Sequence, residues 1–279
     1  MFEVSHPEVR AAVERALAED IGPGDVTSEL TVGKDLQGRG SFLAKQDLVL
    51  AGVELLPLIY DVRGGAGVKL HAASGERIRS GQTIATVSGS ARTLLGCERV
   101  ALNFLQRLSG IATLAAKHVE AVSGTKARVL DTRKTTPGLR RLEKMAAAAG
   151  GVTNHRYGLF DAVLIKNNHI TAAGGIRRAL ERTRNYNGTV EIEVRTRAEL
   201  DEALAAGAKR LLLDNLSPAE AAQWIQHIAG RATVELSGGI NLENIRAYAE
   251  AGPEFISSGA ITHSAIAVDI SFRLGLDER

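Results

Sequence analysis

Disulfides are out of reach for this chain, whose 279 residues include one cysteine, Cys97; a single thiol closes no intrachain bridge and builds no metal cluster. That fits a reducing compartment, and the apolar helical neighbours of Cys97 point to a buried core thiol. Aromatics are scarce at 4%, so Ala, Val, Ile and Leu must build the interior. The interleaved aromatic platforms of a single-strand nucleic-acid binder are missing with them. No apolar run approaches the roughly 18 residues of a membrane span, and the opening MFEVSHPEVR lacks the charged-then-apolar plan of a signal peptide. The expected location is the cytoplasm. Charge of one sign is not in excess either, with 34 Lys and Arg against 32 Asp and Glu, a formal net of +2. This excludes a global pull toward nucleic acid or membrane, so any basic site is a local concentration.

The chain is long enough for a large α/β barrel with a smaller domain beside it. Ser5-His6-Pro7-Glu8 reads as a helix start with a Ser/Glu capping box, and the helix stops at Gly22-Pro23-Gly24. Residues 38–90 change to short strands, GSFLAK, DLVLAG, GVKLHAA and QTIATVSG, punctuated by glycine turns. Residues 91–122 are helical, with Ser109-Gly110 expected as a kink or break. Beyond them, apolar runs alternate with helical stretches: ARVLD (127–131), AVLIK (162–166), TVEIEV (189–194), KRLLLD (209–214), TVELS (233–237) and EFISS (254–258). Intervening helices include ITAAGGIRRALERTR, TRAELDEALAAG, SPAEAAQWIQHI and NLENIRAYAEAG, the second and third starting behind Thr and Ser N-cap candidates. So many consecutive strand-helix units favour a parallel barrel, buried on both faces, over an open sheet.

In such a barrel the functional groups gather at the carboxyl ends of the strands. Those ends hold Arg133 and Lys134, Lys166, Glu193, Asp214, Ser237-Gly238-Gly239 and Ser257-Ser258-Gly259. The cations concentrate between residues 131 and 170, where Arg133, Lys134, Arg140, Arg141, Lys144, Arg156 and Lys166 outnumber Asp131, Glu143 and Asp161, with His155 and His169 as further donors. Arg140, Arg141 and Lys144 read as solvated helix charges. Arg133, Lys134, Arg156 and Lys166 adjoin buried strands or a Gly-Gly loop, where an unpaired cation is costly, and an anion is the expected partner. The two late Ser-Gly turns suit phosphate, because glycine lets backbone N–H groups approach closely. Glu193 and Asp214, on successive strands with no cation adjoining either in sequence, are candidate oxygen ligands for Mg²⁺. Glu191 lies on the same side as Glu193, one layer deeper, and is expected to pair internally.

DTRKTTPGLR, EKMAAAAGGVTNHR, LIKNNHI, VEIEV, LLDN, ELSGGI and SSGAITHS resemble, in order and spacing, the quinolinate phosphoribosyltransferase family, and EDIGPGDVTS with ERVALNFLQRLSGIAT extends the likeness over nearly the whole chain. The resemblance implies an amino-terminal α/β sandwich over residues 1–110, with the chain end from about 267 to 279 returning to it, and an open seven-stranded parallel α/β barrel over 111–266. It implies catalytic roles for Lys134, Lys166, Glu193 and Asp214. Substrate contacts would come from Arg107, Thr132, Arg133, Lys134, His155, Arg156, Lys166, Glu193, Asp214, Ser237, Gly238, Gly239, Ser258, Gly259, Ala260 and His263. Mg²⁺ would sit at Glu193 and Asp214, and no organic cofactor is implied. The implied partners are quinolinate, phosphoribosyl pyrophosphate and a second copy of the chain, with Arg107 crossing the dimer interface and hexamers as a further assembly; neither nucleic acid nor membrane is among them. The implied reaction forms nicotinate mononucleotide, CO₂ and pyrophosphate in NAD biosynthesis. A related enzyme acting on another anionic base is the nearest alternative. Three positions depart from the family pattern: Asn167 replaces a usual Asp, Arg195 a common acidic residue and Met145 a frequent Tyr.

Overall fold

A computed structural model describes residues 3–276. In chain order it begins with helices α1 (Pro7–Ile21) and α2 (Val26–Thr31), strands β1 (Gln37–Ala44) and β2 (Leu48–Val49), and helix α3 (Leu55–Asp61). Strands β3 (Gly67–Leu70), β4 (Arg77–Ile78) and β5 (Thr83–Ser90) lead into the long helix α4 (Ala91–Ala121). Then come β6 (Arg128–Leu130), α5 (Arg140–Ala149), β7 (Val163–Ile165), α6 (Asn167–Ala173) and α7 (Ile176–Arg182). Strands β8 (Val190–Val194), β9 (Arg210–Asp214), β10 (Thr233–Ser237) and β11 (Phe255–Ser257) follow, separated by α8 (Arg197–Ala205), α9 (Pro218–Ile228) and α10 (Ile245–Glu250). Helix α11 (Ala260–His263) and strand β12 (Ile270–Leu276) close the series.

Packing divides the described residues into two units, one of residues 3–116, 135–151 and 265–276, the other of 117–134 and 152–264. In the first, β12, β1, β5 and β3 form a four-stranded sheet with antiparallel neighbours, and β2 pairs with β4. The returning strand β12 meets β1 along its length, setting Phe272 opposite Phe42 with ring centroids 5.0 Å apart; residues 277–279 of the expected returning segment lie outside the described residues. Phe42, Ile84, Leu94, Leu105, Leu108 and Ile111 are fully buried here, the aliphatic core that the scarcity of aromatics required. The stretch 135–151, inside the interval expected for the barrel, packs in this unit as helix α5.

Two local expectations change in this unit. The N-cap of α1 is His6, whose Nδ1 accepts the Glu8 N–H at 3.2 Å, in place of a Ser5/Glu8 box. Helix α4 runs unbroken through Ser109-Gly110. Ser109 Oγ accepts the Ala51 N–H at 3.0 Å, and Gly110 lets the Ile266 carbonyl lie against the helix where any Cβ would collide. The small residues serve close contact, not a kink.

In the second unit the six expected strands all form and pair in parallel in the order β6-β11-β10-β9-β8-β7. Thr153 adds one bridge to Leu130 on the outer side of β6. The sheet thus has six strands and one bridged residue beyond β6, and no pairing between β7 and the Thr153 segment is found among the described residues. Thr196 and Ser217 cap α8 and α9 in full capping boxes with Glu199 and Glu220. The single helix expected over 170–184 is two, α6 and α7, parted by Gly174 and Gly175 at φ +82° and +123°. The register sets Glu193 opposite Leu212 and Leu212 opposite Glu235, so β8, β9 and β10 turn Glu193, Asp214 and Glu235 to one face.

Candidate active site

Asp131 organises one side of the site. It is fully buried directly after β6, and its carboxylate accepts the His155 backbone N–H and the Asn154 side-chain amide, each at 2.7 Å. That bond folds the loop after Thr153 onto the end of β6 and brings Arg156 near Arg133. Burial, and then the charge of Arg133, hold the Arg156 guanidinium below its ordinary range against the opposing pull of Asp161 and Glu191. Both guanidiniums are half-buried, and their planar forks suit a carboxylate or phosphate. Thr132 Oγ1 accepts the Lys134 N–H at 3.1 Å, shaping the turn that presents both cations.

Lys134 runs along the turn after β11. A Cβ on Gly259 would stand 2.8 Å from Lys134 Cδ and 3.1 Å from His263, so glycine makes room for that side chain. Thr262 Oγ1 donates to the Lys134 carbonyl at 2.8 Å. Ser258 is buried and spends its hydroxyl on the Ile240 carbonyl at 2.7 Å, tying the β10 and β11 turns together. Ala260 opens α11 and His263, exposed, closes it. After β10, Gly238 and Gly239 take φ +101° and +61°, and a Cβ on Gly238 would meet the Asn215 backbone nitrogen at 2.6 Å. Ser237 accepts the Asn215 N–H through its carbonyl at 2.9 Å. The two glycine turns and the β9 end therefore lie against one another.

The acidic side has a feature that spacing alone did not reveal. Glu193 was expected without an adjoining cation, yet Arg195 Nε and Nη2 both donate to its Oε1, at 3.1 and 2.7 Å, and Lys166 Nζ lies 3.8 Å from its Oε2. Residues two apart on an extended chain share a side, which is the signal that could have found this pair. Asp214 Oδ2 accepts the Asn215 side-chain amide at 2.6 Å. Burial, then the nearby negative charge of Glu193, raises the Asp214 pKa against the opposing effects of Arg195, Lys166 and Lys134. Two crowded carboxylates offering only oxygen suit a hard divalent cation.

Beneath these groups lies a tetrad of two buried carboxylates and two half-buried bases. Arg210 donates to Glu191 Oε1 at 2.9 Å and to Glu235 Oε2 at 2.8 Å, and His155 Nε2 is 3.4 Å from the other oxygen of each. Glu191 thus pairs internally. Burial opposes charging His155, but the two carboxylates outweigh it and push its pKa up to about 9. The Arg156 N–H donated to Nδ1 at 2.7 Å favours the neutral ring; in either form Nε2 carries the hydrogen that faces both carboxylates. The three ligand-type groups stand close enough to surround a metal, but a protonated Nε2 and the Arg210 guanidinium fill that role with hydrogens. Glu235 and Arg210 escaped sequence reasoning because nothing local in their strands says that the two side chains meet.

Fifteen of the sixteen residues expected to contact substrate lie in this unit, and Arg107 lies in the other. There it donates to Glu143 Oε1 through Nε at 3.2 Å and Nη2 at 2.9 Å, and to the Ala265 carbonyl at 2.8 Å. Arg140, Arg141 and Lys144 also belong to that unit. Lys144 is not a solvated charge but buried; Arg140 and Arg141 are half-buried, Arg140 Nε donating to Thr135 Oγ1 at 3.1 Å and Arg141 pairing with Glu8 at 3.0 Å.

Known proteins match throughout. The model of the quinolinate phosphoribosyl transferase C-terminal domain matches residues 111–273, and that of the N-terminal domain residues 25–109. A chloroplastic nicotinate-nucleotide pyrophosphorylase (carboxylating) of Arabidopsis thaliana is 41% identical over 97% of this chain and 84% of its own. A probable nicotinate-nucleotide pyrophosphorylase (carboxylating) of Bacillus subtilis is 38% identical over 98% and 96%. The crystal structure of NadC from Streptococcus pyogenes superposes with a TM-score of 0.92 at 38% identity, covering 97% of this chain and 98% of that one.

Proposed function

Because the chain belongs to the quinolinate phosphoribosyltransferase family, we propose that it joins quinolinate to phosphoribosyl pyrophosphate and releases nicotinate mononucleotide, CO₂ and pyrophosphate. The observation that carries the reading is the gathering of cations and glycine turns at one set of strand ends: Lys134 lies along the Gly259 turn, Lys166 faces Glu193, and Arg133 and Arg156 stand half-buried after β6 and Thr153, a setting for a substrate with several negative groups. Arg133 and Arg156 grip the carboxylates of quinolinate. Lys134 and Lys166 share charge between carboxylate and phosphate, and the backbone N–H groups of Ser237, Gly238, Gly239 and Gly259 face phosphate. His155, with Nε2 facing Glu191 and Glu235 and Nδ1 accepting the Arg156 N–H, positions the Arg156 backbone on the carboxylate side.

Held in line, the ring nitrogen forms a bond to ribose C1 as the C1–O bond to pyrophosphate breaks. Glu193 and Asp214 are the residues that would hold Mg²⁺, whose contribution when bound is positive charge against the departing pyrophosphate. The alkylated nitrogen is cationic, so the neighbouring carboxylate leaves as CO₂ and its electron pair stays on the ring carbon beside that charge until a proton arrives. The basic rim stabilises the charges that develop, and no side chain has to act as a base for the loss of CO₂. Arg107 belongs to the proposal as a residue lent to a partner subunit's site, oriented from behind by Glu143. The cytoplasm is the proposed compartment; among the described residues no helix is long and apolar enough to cross a membrane.

Calorimetric titration of quinolinate tests the assignment. R133A and R156A should each weaken binding by about 2–4 kcal/mol, the order for unmaking a desolvated charge pair. Wild-type affinity in both variants contradicts it.

A further inference from the structure

Arg195 sits just past β8 with its backbone N–H donated to the Glu199 carboxylate at 2.7 Å and its head group on Glu193. The Glu193 side chain is 5% exposed, while that of Arg195 is 49% exposed. One carboxylate oxygen therefore has both guanidinium donors on it, the other faces Lys166, and the arginine has room to swing outward. Metal coordination needs the same oxygen lone pairs that these donors occupy, and a strongly hydrated divalent ion exchanges its water reluctantly for a ligand so engaged. An incoming pyrophosphate group offers the guanidinium an alternative two-pronged partner of higher charge.

We propose that Arg195 is an internal counter-ion that occupies Glu193 in the substrate-free enzyme and releases it to the divalent cation only when phosphate oxygens take over the guanidinium. This rests on the reading of Glu193 and Asp214 as the metal-holding pair. Arg195 is then a positioning residue that makes metal entry follow, and depend on, the phosphorylated substrate, so that the free protein binds the ion weakly by itself.

The test is a Mn²⁺ titration of the full-length protein followed by electron paramagnetic resonance, first without substrates and then with phosphoribosyl pyrophosphate. Without substrate, R195A and R195Q should both bind Mn²⁺ about fivefold more tightly than wild type, the scale of one partly exposed ion pair. Adding E193Q to R195A should cancel the gain. With phosphoribosyl pyrophosphate the wild type should close most of the gap to R195A. Equal affinity of wild type, R195A and R195Q without substrate, or a gain that survives E193Q, overturns the proposal. The metal-pair reading has its own outcome: with phosphoribosyl pyrophosphate present, E193Q alone must weaken Mn²⁺ binding. If it does while R195A matches wild type, only the role of Arg195 fails; if it does not, both fail.

Discussion

His155 shows how one side chain is set by groups distant in sequence. Its backbone is fixed by Asp131, its Nε2 by Glu191 and Glu235, and those carboxylates in turn by Arg210. The two carboxylates raise its pKa from 6.5 to about 9; with the Arg156 N–H turned off Nδ1 on protonation, the folded protein binds a proton that the unfolded chain releases between those values. Stability from this group is therefore complete below about pH 6.5, declines as pH rises and is lost above about pH 9. Urea unfolding from pH 6 to 10 should show that decline in wild type and a flatter profile in H155Q; parallel profiles contradict the assignment. At this scale the sequence disclosed the cations and rim carboxylates, because residue type and strand-end position select Arg133, Glu193 and Asp214, and the neighbouring Gly-Gly loop selects Arg156. It concealed the partners, since nothing local in VELS or KRLLLD says that Glu235 and Arg210 meet.

Strands and turns were the most legible elements. The β-branched runs TVEIEV and TVELS, interrupted by helices behind Thr196 and Ser217, could become little other than parallel strands with capped crossovers. Misreadings arose where a small residue has two physical uses. Gly110 in α4 reads as a break from sequence but admits the Ile266 carbonyl in the structure, and Gly174-Gly175 divides a helix that periodicity alone would continue. Substituting G110A should cost about 1–3 kcal/mol in denaturant unfolding through overpacking on backbone, with the family activity otherwise intact. G238A combines a left-handed backbone with a collision against Asn215, so it should lower stability by a similar amount and, unlike G110A, raise the KM for phosphoribosyl pyrophosphate. Equal KM values for the two variants would remove the β10 turn from the phosphate site.

The whole chain alternates between its units, leaving the first at residue 117, returning for 135–151 and again after 264. Contiguous sequence matches could not reveal this, because hydrophobic pattern marks an element as buried without saying against what. It also separates Arg107 from the other fifteen expected contact residues, which makes the subunit-sharing part of the proposal testable. Mixed and re-equilibrated R107A and R133A proteins should regain roughly a quarter of wild-type activity, since each mixed dimer rebuilds one complete site; no recovery argues that Arg107 serves its own chain. The central claim is that a dianionic pyridine is joined to the activated sugar and decarboxylated at the basic rim. Trapping of labelled CO₂ from quinolinate carboxyl-labelled beside the ring nitrogen tests it most directly. The account predicts one CO₂ per pyrophosphate, dependent on phosphoribosyl pyrophosphate and Mg²⁺ and abolished in R133A; pyrophosphate released without CO₂, or equally well with nicotinate, would contradict it.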